Sequence, residues 1–376
     1  MNSKKFDISV GDTQGVCIEP LAPERFDFEA FAQHEEETAA ICRAFWDSKT
    51  GVAVTRRFRV PEVYSFGCGD MQRSLQLQLA ALQVSTQYAA DIPNYLEPWY
   101  GIGTVASCFG AEYIWAENQA PAIEPPFGTL SEALDYEPIT VEKTSIGRHT
   151  IEMIEYFMET TGGRLPMSPT DTQSPWDITM MLVETSSLLM ETIDNAGVVR
   201  KLVDHVADLL IEFNGRQVEL IGENLVLPGH GFASSREFRG LGMSDDSSCM
   251  ISPGQYTEFC AAANSRVGHV FGGPCFHSCG NWSKWLPAVM QTQGLLVVDG
   301  AFSPQTDPNP NPPRAFAESL AGSGVVLNAR IVGDVDEIER VTRELWLPGM
   351  KLIVVTYCRT PEEQAEAYER VHEICV

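Results

Sequence analysis

The chain has 376 residues, of which 44% are hydrophobic, with 30 glycines and 23 prolines, so it can bury a large core and is not a disordered polymer. Its formal net charge of −25 excludes a general nucleic-acid binder, which needs a basic face against phosphates, and argues equally against docking on anionic membranes. Met1-Asn-Ser-Lys-Lys-Phe-Asp7 opens without an apolar stretch or cleavage site, and no run of about 18 apolar residues follows, so a cytoplasmic protein is expected.

In such a compartment the ten cysteines read as thiols, and Cys17, Cys42, Cys260 and Cys375 as small buried hydrophobes. Residues 27–47 read as an acidic helix, and Val52–Val60 as a strand. We assign residues 1–70 to an N-terminal helical and strand elaboration packed on a main body of residues 71–376. A Leu- and Gln-rich helix covers 71–90. Tyr100–Ser107 is a short apolar run whose Gly101 and Gly103 allow close backbone approach, within the fold or to a flat cofactor ring. Residues 118–140 form a Pro-rich loop, 147–160 a helix, and Leu165-Pro-Met-Ser a short strand leading to Asp171.

Ser174-Pro175-Trp176-Asp177 has Ser at the N-cap, Pro at the first helical position and an acid at the third, which predicts a helix over 176–192. A second amphipathic helix spans about 197–222. The last third alternates short apolar strands with helices. Leu241–Asp246 reads as a strand end and loop, and strands are predicted at 268–277, 294–299, 324–330 and 351–358. Ser252-Pro253 and Thr360-Pro361 open capped helices, and another covers about 334–345. Buried strands alternating with amphipathic helices imply a parallel sheet. With neither a Gly-x-Gly-x-x-Gly fingerprint nor a Walker sequence, a (β/α)8 barrel of the α/β class is the expected fold. A barrel carries its chemistry at the C-terminal strand ends. Here those ends hold Asp245 and Asp246, His277 and Cys279, Asp299, Asn328 and Arg330, and Cys358.

His277-Ser-Cys279 offers an imidazole and a thiolate from one turn, and a third soft donor from another strand end would complete a zinc site with an open position. On the residues alone, His277 serves equally as a core histidine bonded to backbone, and Cys279 and Cys358 as buried thiols like Cys275. Asp245 and Asp246 suit a loop cap or a carboxylate orienting a ligand, Asp299 a helix cap, and Asn328 and Arg330 hydrogen bonders at the mouth. Trp176, Phe276 and Trp282 suit either core packing or the wall of an apolar substrate pocket.

The chain resembles the uroporphyrinogen decarboxylase family. The residues that carry the resemblance are Ser174-Pro-Trp-Asp-Ile-Thr179, Asp245-Asp246 ahead of Ile251-Ser-Pro253, and His277-Ser-Cys-Gly280; weaker matches are the Asp299 strand and Cys358 followed by Thr360-Pro-Glu362. The decarboxylases of that family carry an arginine-rich N-terminal motif for substrate carboxylates. Arg56-Arg57-Phe-Arg59-Val-Pro61 lacks most of it, and Thr104-Val-Ala-Ser107 stands where they have an aspartate. The resemblance therefore points to the branch of zinc-containing, corrinoid-dependent methyltransferases.

It implies zinc on His277, Cys279 and Cys358, and a cobalamin-type corrinoid carried by a separate partner protein. It also implies methyl transfer to or from its cobalt, as in demethylation of a small O-, S- or N-methyl compound such as a methoxylated aromatic, or methylation of a thiol. Within that reading Asp245, Asp299 and Asn328 are candidate catalytic residues, Gly101 and Gly103 candidate cofactor contacts, and Trp176, Phe276, Trp282 and Arg330 candidate substrate contacts. A homodimer is compatible with it. The alternatives are a tetrapyrrole decarboxylase and a non-catalytic corrinoid- or metal-binding barrel.

Overall fold

The computed structural model describes residues 16–376. Its strands are β1 Gly51–Arg56, the short hairpin β2 Tyr113–Ile114 and β3 Ala122–Ile123, then β4 Leu241–Ser244, β5 Pro274–His277, β6 Val297–Ala301, β7 Val326–Arg330 and β8 Lys351–Thr356. All but the hairpin form one parallel sheet in the order β1-β8-β7-β6-β5-β4. Two irregular extended segments close it. Asp91 N–H donates to Val54 O at 2.7 Å, Leu96 bridges Met167 in parallel, and Gln173 bridges Ser244 in parallel. The expected (β/α)8 barrel is the observed fold.

Every residue of β4 to β8 is buried, because each strand has a barrel interior on one side and helices on the other. Two apolar clusters mark the two sides. Ala53, Cys275, Val297, Val326, Ile353 and Val355 pack together inside, while Val54, Phe276, Val298, Leu327, Leu352 and Val354 join the outer layer. Side chains alternate along a strand, so His277, Asp299 and Asn328 share the interior side with Cys275, Val297 and Val326.

Several boundaries differ from expectation. The strand assigned to the 1–70 elaboration supplies β1, in full register with β8 from Gly51↔Lys351 to Arg56↔Thr356, so the barrel begins before residue 71. The 176–192 helix is two helices, Pro175–Leu182 and Thr185–Asp194. Val183 turns extended to bridge Phe127, and the Glu184 carboxylate recaps the chain by accepting Ser187 N–H at 2.8 Å. Residues 268–270 end a helix rather than begin a strand, because Gly272 and Gly273 have positive φ and interrupt the chain before β5. Tyr100–Ser107 is irregular, and the loop at 118–140 holds β3 and a capped helix at Leu130–Asp135.

Candidate metal centre

His277 ends β5 with its ring inside the barrel mouth. Its Nδ1 lies 2.6 Å from Asp299 Oδ2, on the neighbouring strand and in register with it. That bond fixes the ring orientation and leaves Nε2 facing outward, 3.6 Å from Cys279 Sγ and 3.8 Å from Asp246 Oδ1. The three donor atoms lie within 4.8 Å of one another, the one such His/Cys/acid group among the described residues. Four-coordinate zinc with bonds of about 2.0–2.3 Å needs donor separations of roughly 3.3–3.8 Å, which the 3.6 and 3.8 Å separations from His277 Nε2 match, and nitrogen, sulfur and carboxylate oxygen suit the ion in kind. A carboxylate behind a metal-binding histidine is the usual second partner of such a ring.

Charge supports the arrangement. Burial opposes a charged His277, but its bond to Asp299 and the nearby Cys279 outweigh burial and raise the ring to about 10. Burial likewise works against an ionised Asp299, yet Arg330, His277 and Asn328 together hold it below the ordinary carboxylate range. Asp299 is thereby an anion that accepts from His277, from Asn328 Nδ2 at 2.5 Å and from Arg330 Nε at 3.0 Å.

Asp246 reaches this cluster on the turn after β4. Its Oδ1 accepts the Cys279 N–H at 2.5 Å. Asp245 N–H donates to His277 O at 2.8 Å, which ties the turn to β5. The Asp245 carboxylate points inward to Ser174 Oγ and Asn264 Nδ2, both at 2.9 Å, and burial raises it to about 7.

Residues 78–228 match the family model for uroporphyrinogen decarboxylase (URO-D). Over that stretch the chain is similar to the URO-D family. Among solved structures the chain is similar to a methyltransferase from Methanosarcina mazei, with a TM-score of 0.63 and 15% identity over 89% of this chain and 98% of that one. At that identity the likeness speaks for the fold. No curated protein matches the sequence. The URO-D match takes in Ser174–Asp177 and stops before Asp246, His277 and Cys279.

On this barrel the remaining expected site residues fall into three groups. Asn328 and Arg330 hold Asp299; Asn328 Oδ1 also accepts Ala233 N–H at 3.0 Å. Trp176, Phe276 and Trp282 are at most 2% exposed and are core residues, which corrects their reading as pocket wall. Phe276 alternates with His277 and so faces the outer layer, edge-on to Trp282 at 4.8 Å between centroids, while Trp176 stacks on Phe259. Beside Gly101 and Gly103 the space is filled by Tyr113, Pro121 and Ile123, and Tyr113 hydroxyl accepts Gly103 N–H at 3.0 Å. The close approach these glycines permit is to the chain's own hairpin.

Cys358 stands apart from the donor cluster. Two residues beyond β8, it joins the outer layer while Tyr357 joins the inner one. Its carbonyl accepts Arg56 Nε at 2.8 Å, and burial raises its thiol to about 11.

Sequence reasoning passed over a second buried group at the mouth. His230 sits with Nδ1 2.5 Å from Glu97 Oε1 and Nε2 3.4 Å from Asp171 Oδ2. Tyr64 hydroxyl donates to Glu97 at 3.1 Å, and Trp99 Nε1 to Asp171 at 3.2 Å. Burial raises Glu97 to about 7 against the pull of Arg59 and Arg57, and lowers His230 to about 3. Gly231 brings this loop against His277, since a Cβ there would lie 3.8 Å from its Nδ1. Glu97, Asp171 and His230 come from segments more than 50 positions apart without a local motif, so periodicity had no means of joining them.

Proposed function

We propose that this chain is a zinc-dependent methyltransferase that moves a methyl group between a small substrate and the cobalt of a corrinoid carried by a separate protein. The observation that carries the reading is the convergence of His277 Nε2, Cys279 Sγ and Asp246 Oδ1, with His277 oriented from behind by Asp299. The donor set is His277 and Cys279, with Asp246 in the position nearest solvent. Cys358, the third donor that the family resemblance implies, packs with the outer layer and would have to turn inward to join them. When bound, zinc acts as a Lewis acid that lowers the pKa of a thiol or hydroxyl, making sulfur or oxygen a workable nucleophile or leaving group near neutral pH.

The chain's own residues prepare that chemistry. Asp299 holds His277 in the tautomer that presents Nε2, and takes up the charge of the ring. Arg330 and Asn328 keep Asp299 ionised and stationary. Cys279 gives up its proton to act as a donor. The Glu97–His230–Asp171 group closes the other side of the mouth with fixed dipoles. The substrate class is a methyl donor, with an O-, S- or N-methyl group on a small, partly apolar body, or an acceptor thiol. The structural neighbour named a methyltransferase and the incomplete arginine motif support this branch.

The purified chain should contain about one zinc per chain. With reduced corrinoid and a panel of methyl ethers, thioethers and amines, methyl-corrinoid should form, read by its visible spectrum. An active chain free of metal would remove the central claim. A second reading, decarboxylation of a polycarboxylated tetrapyrrole, is favoured by Arg57 and Arg59, which act on Glu97 and Tyr64 at the mouth. Release of CO2 from uroporphyrinogen at a rate independent of zinc would select it.

A further inference from the structure

We infer that Asp177 is a positioning residue of this centre, whose carboxylate fixes Asp246 as the oxygen donor beside His277 and Cys279. The inference rests on the metal reading above and goes on to assign work to the Ser174-Pro-Trp-Asp177 segment. In sequence that segment is a helix start. Ser174 does cap its helix, accepting Asp177 N–H at 3.0 Å. An acid at the third helical position commonly turns back to the cap residue's own N–H.

Asp177 instead sends both oxygens to another element. Oδ2 accepts Asp246 N–H and Oδ1 accepts Ser247 N–H, each at 2.8 Å. At 2% exposure it has no solvent to turn to. Ser174 holds the adjacent acid, donating from Oγ to Asp245 at 2.9 Å. One four-residue segment thus grips the backbone of Asp246 and the side chain of Asp245.

From the other side, Asp246 Oδ1 accepts Cys279 N–H, and Asp245 N–H donates to His277 O. The turn carrying Asp246 is therefore held by the helix start below and by the metal-binding loop beside it. Two backbone N–H groups require two acceptor oxygens, which a carboxylate has. Asparagine has one, and its NH2 would face the second donor.

The test is a double-mutant cycle on the full chain, with Zn2+ affinity from chelator competition and the visible spectrum of the Co2+-loaded protein. Asp177→Asn should weaken Zn2+ by about 10–100-fold, the usual effect of losing an outer partner of a ligand. Asp246→Ala should weaken it at least as much. In the Asp246→Ala background, Asp177→Asn should add no further loss, because it acts through Asp246. The Co2+ spectrum of Asp177→Asn should shift toward that of Asp246→Ala.

An unchanged affinity in Asp177→Asn overturns the inference while leaving the metal reading intact, and so does a loss that adds fully to that of Asp246→Ala. A wild-type chain that takes up no Zn2+ overturns both. Should Asp177→Asn not fold, Ser174→Ala goes through the same cycle. Its smaller loss should vanish in the Asp246→Ala background, and an additive loss overturns the inference.

Discussion

Asp299→Asn is the most informative single change, because it keeps the shape of the residue and removes its charge. Asp299 is fully buried and accepts from His277 Nδ1, Asn328 Nδ2 and Arg330 Nε. An asparagine accepts through one oxygen and turns an NH2 toward at least one of those donors. Zinc affinity should fall by about 10–100-fold, equivalent to roughly 1.4–2.7 kcal/mol, once the ring is deprotonated in both proteins. The change also acts on the proton. Asp299 helps to raise His277 to about 10, so in the parent chain zinc must displace a proton below that pH.

Parent affinity should therefore climb steeply with pH between about 7 and 10, while the variant, with a ring nearer the usual histidine value of about 6.5, should flatten earlier. The parent's advantage is full only above about pH 10, fades near about pH 8–9 and reverses below that, where the variant has far less of a proton to displace. Breaking the buried Asp299–Arg330 pair should also destabilise the metal-free chain by about 3–5 kcal/mol in urea unfolding. Chelator competition at pH 6 and pH 9 decides the matter. A parent-to-variant affinity ratio that does not rise between pH 6 and pH 9 would refute this account of His277.

Four further outcomes follow from the same structure. Cys279→Ala and Cys358→Ala should each lose zinc and methyl transfer together, measured by metal analysis and corrinoid turnover; full occupancy in Cys358→Ala would leave Asp246 as the third donor. The metal-free parent should lose stability as pH rises. A His277 raised from 6.5 to about 10 contributes fully below 6.5 and loses that contribution through 10, so melting temperatures should decline across that window and the decline should disappear in Asp299→Asn. Glu97, raised to about 7 by burial, has the same sign: its protonated form is favoured in the fold, so the stability of the parent relative to Glu97→Gln should drop between pH 4.5 and 7. Gly231 has φ +82° against His277, so Gly231→Ala should cost about 1–2 kcal/mol in unfolding experiments through backbone strain, since the added Cβ itself has room.

Local rules in the sequence sufficed for much of the frame. Caps at Ser174, Ser252 and Thr360 mark real helix starts, and the strand end at 241–246 and the apolar run at 351–358 mark real strands. Their alternation with helices determined the barrel, and the barrel determined that His277 and Cys279 would meet chemistry at a strand end. Strict alternation was also legible, and it already places Phe276 on the opposite face from His277.

Tertiary structure alone decided the rest, because these contacts join positions far apart in sequence. The segments 91–97 and 165–173 close the barrel by isolated bridges and side-chain bonds, so they carry no regular strand signal. Asp246 meets His277 and Cys279 only because β4 ends beside β5, and Asp177 grips it from 69 residues away. Cys358 lies just past the last residue held in register by the sheet, where strand alternation no longer dictates which way a side chain faces. A motif can name the donors, but the strand ends of the closed barrel choose which of them point at one another.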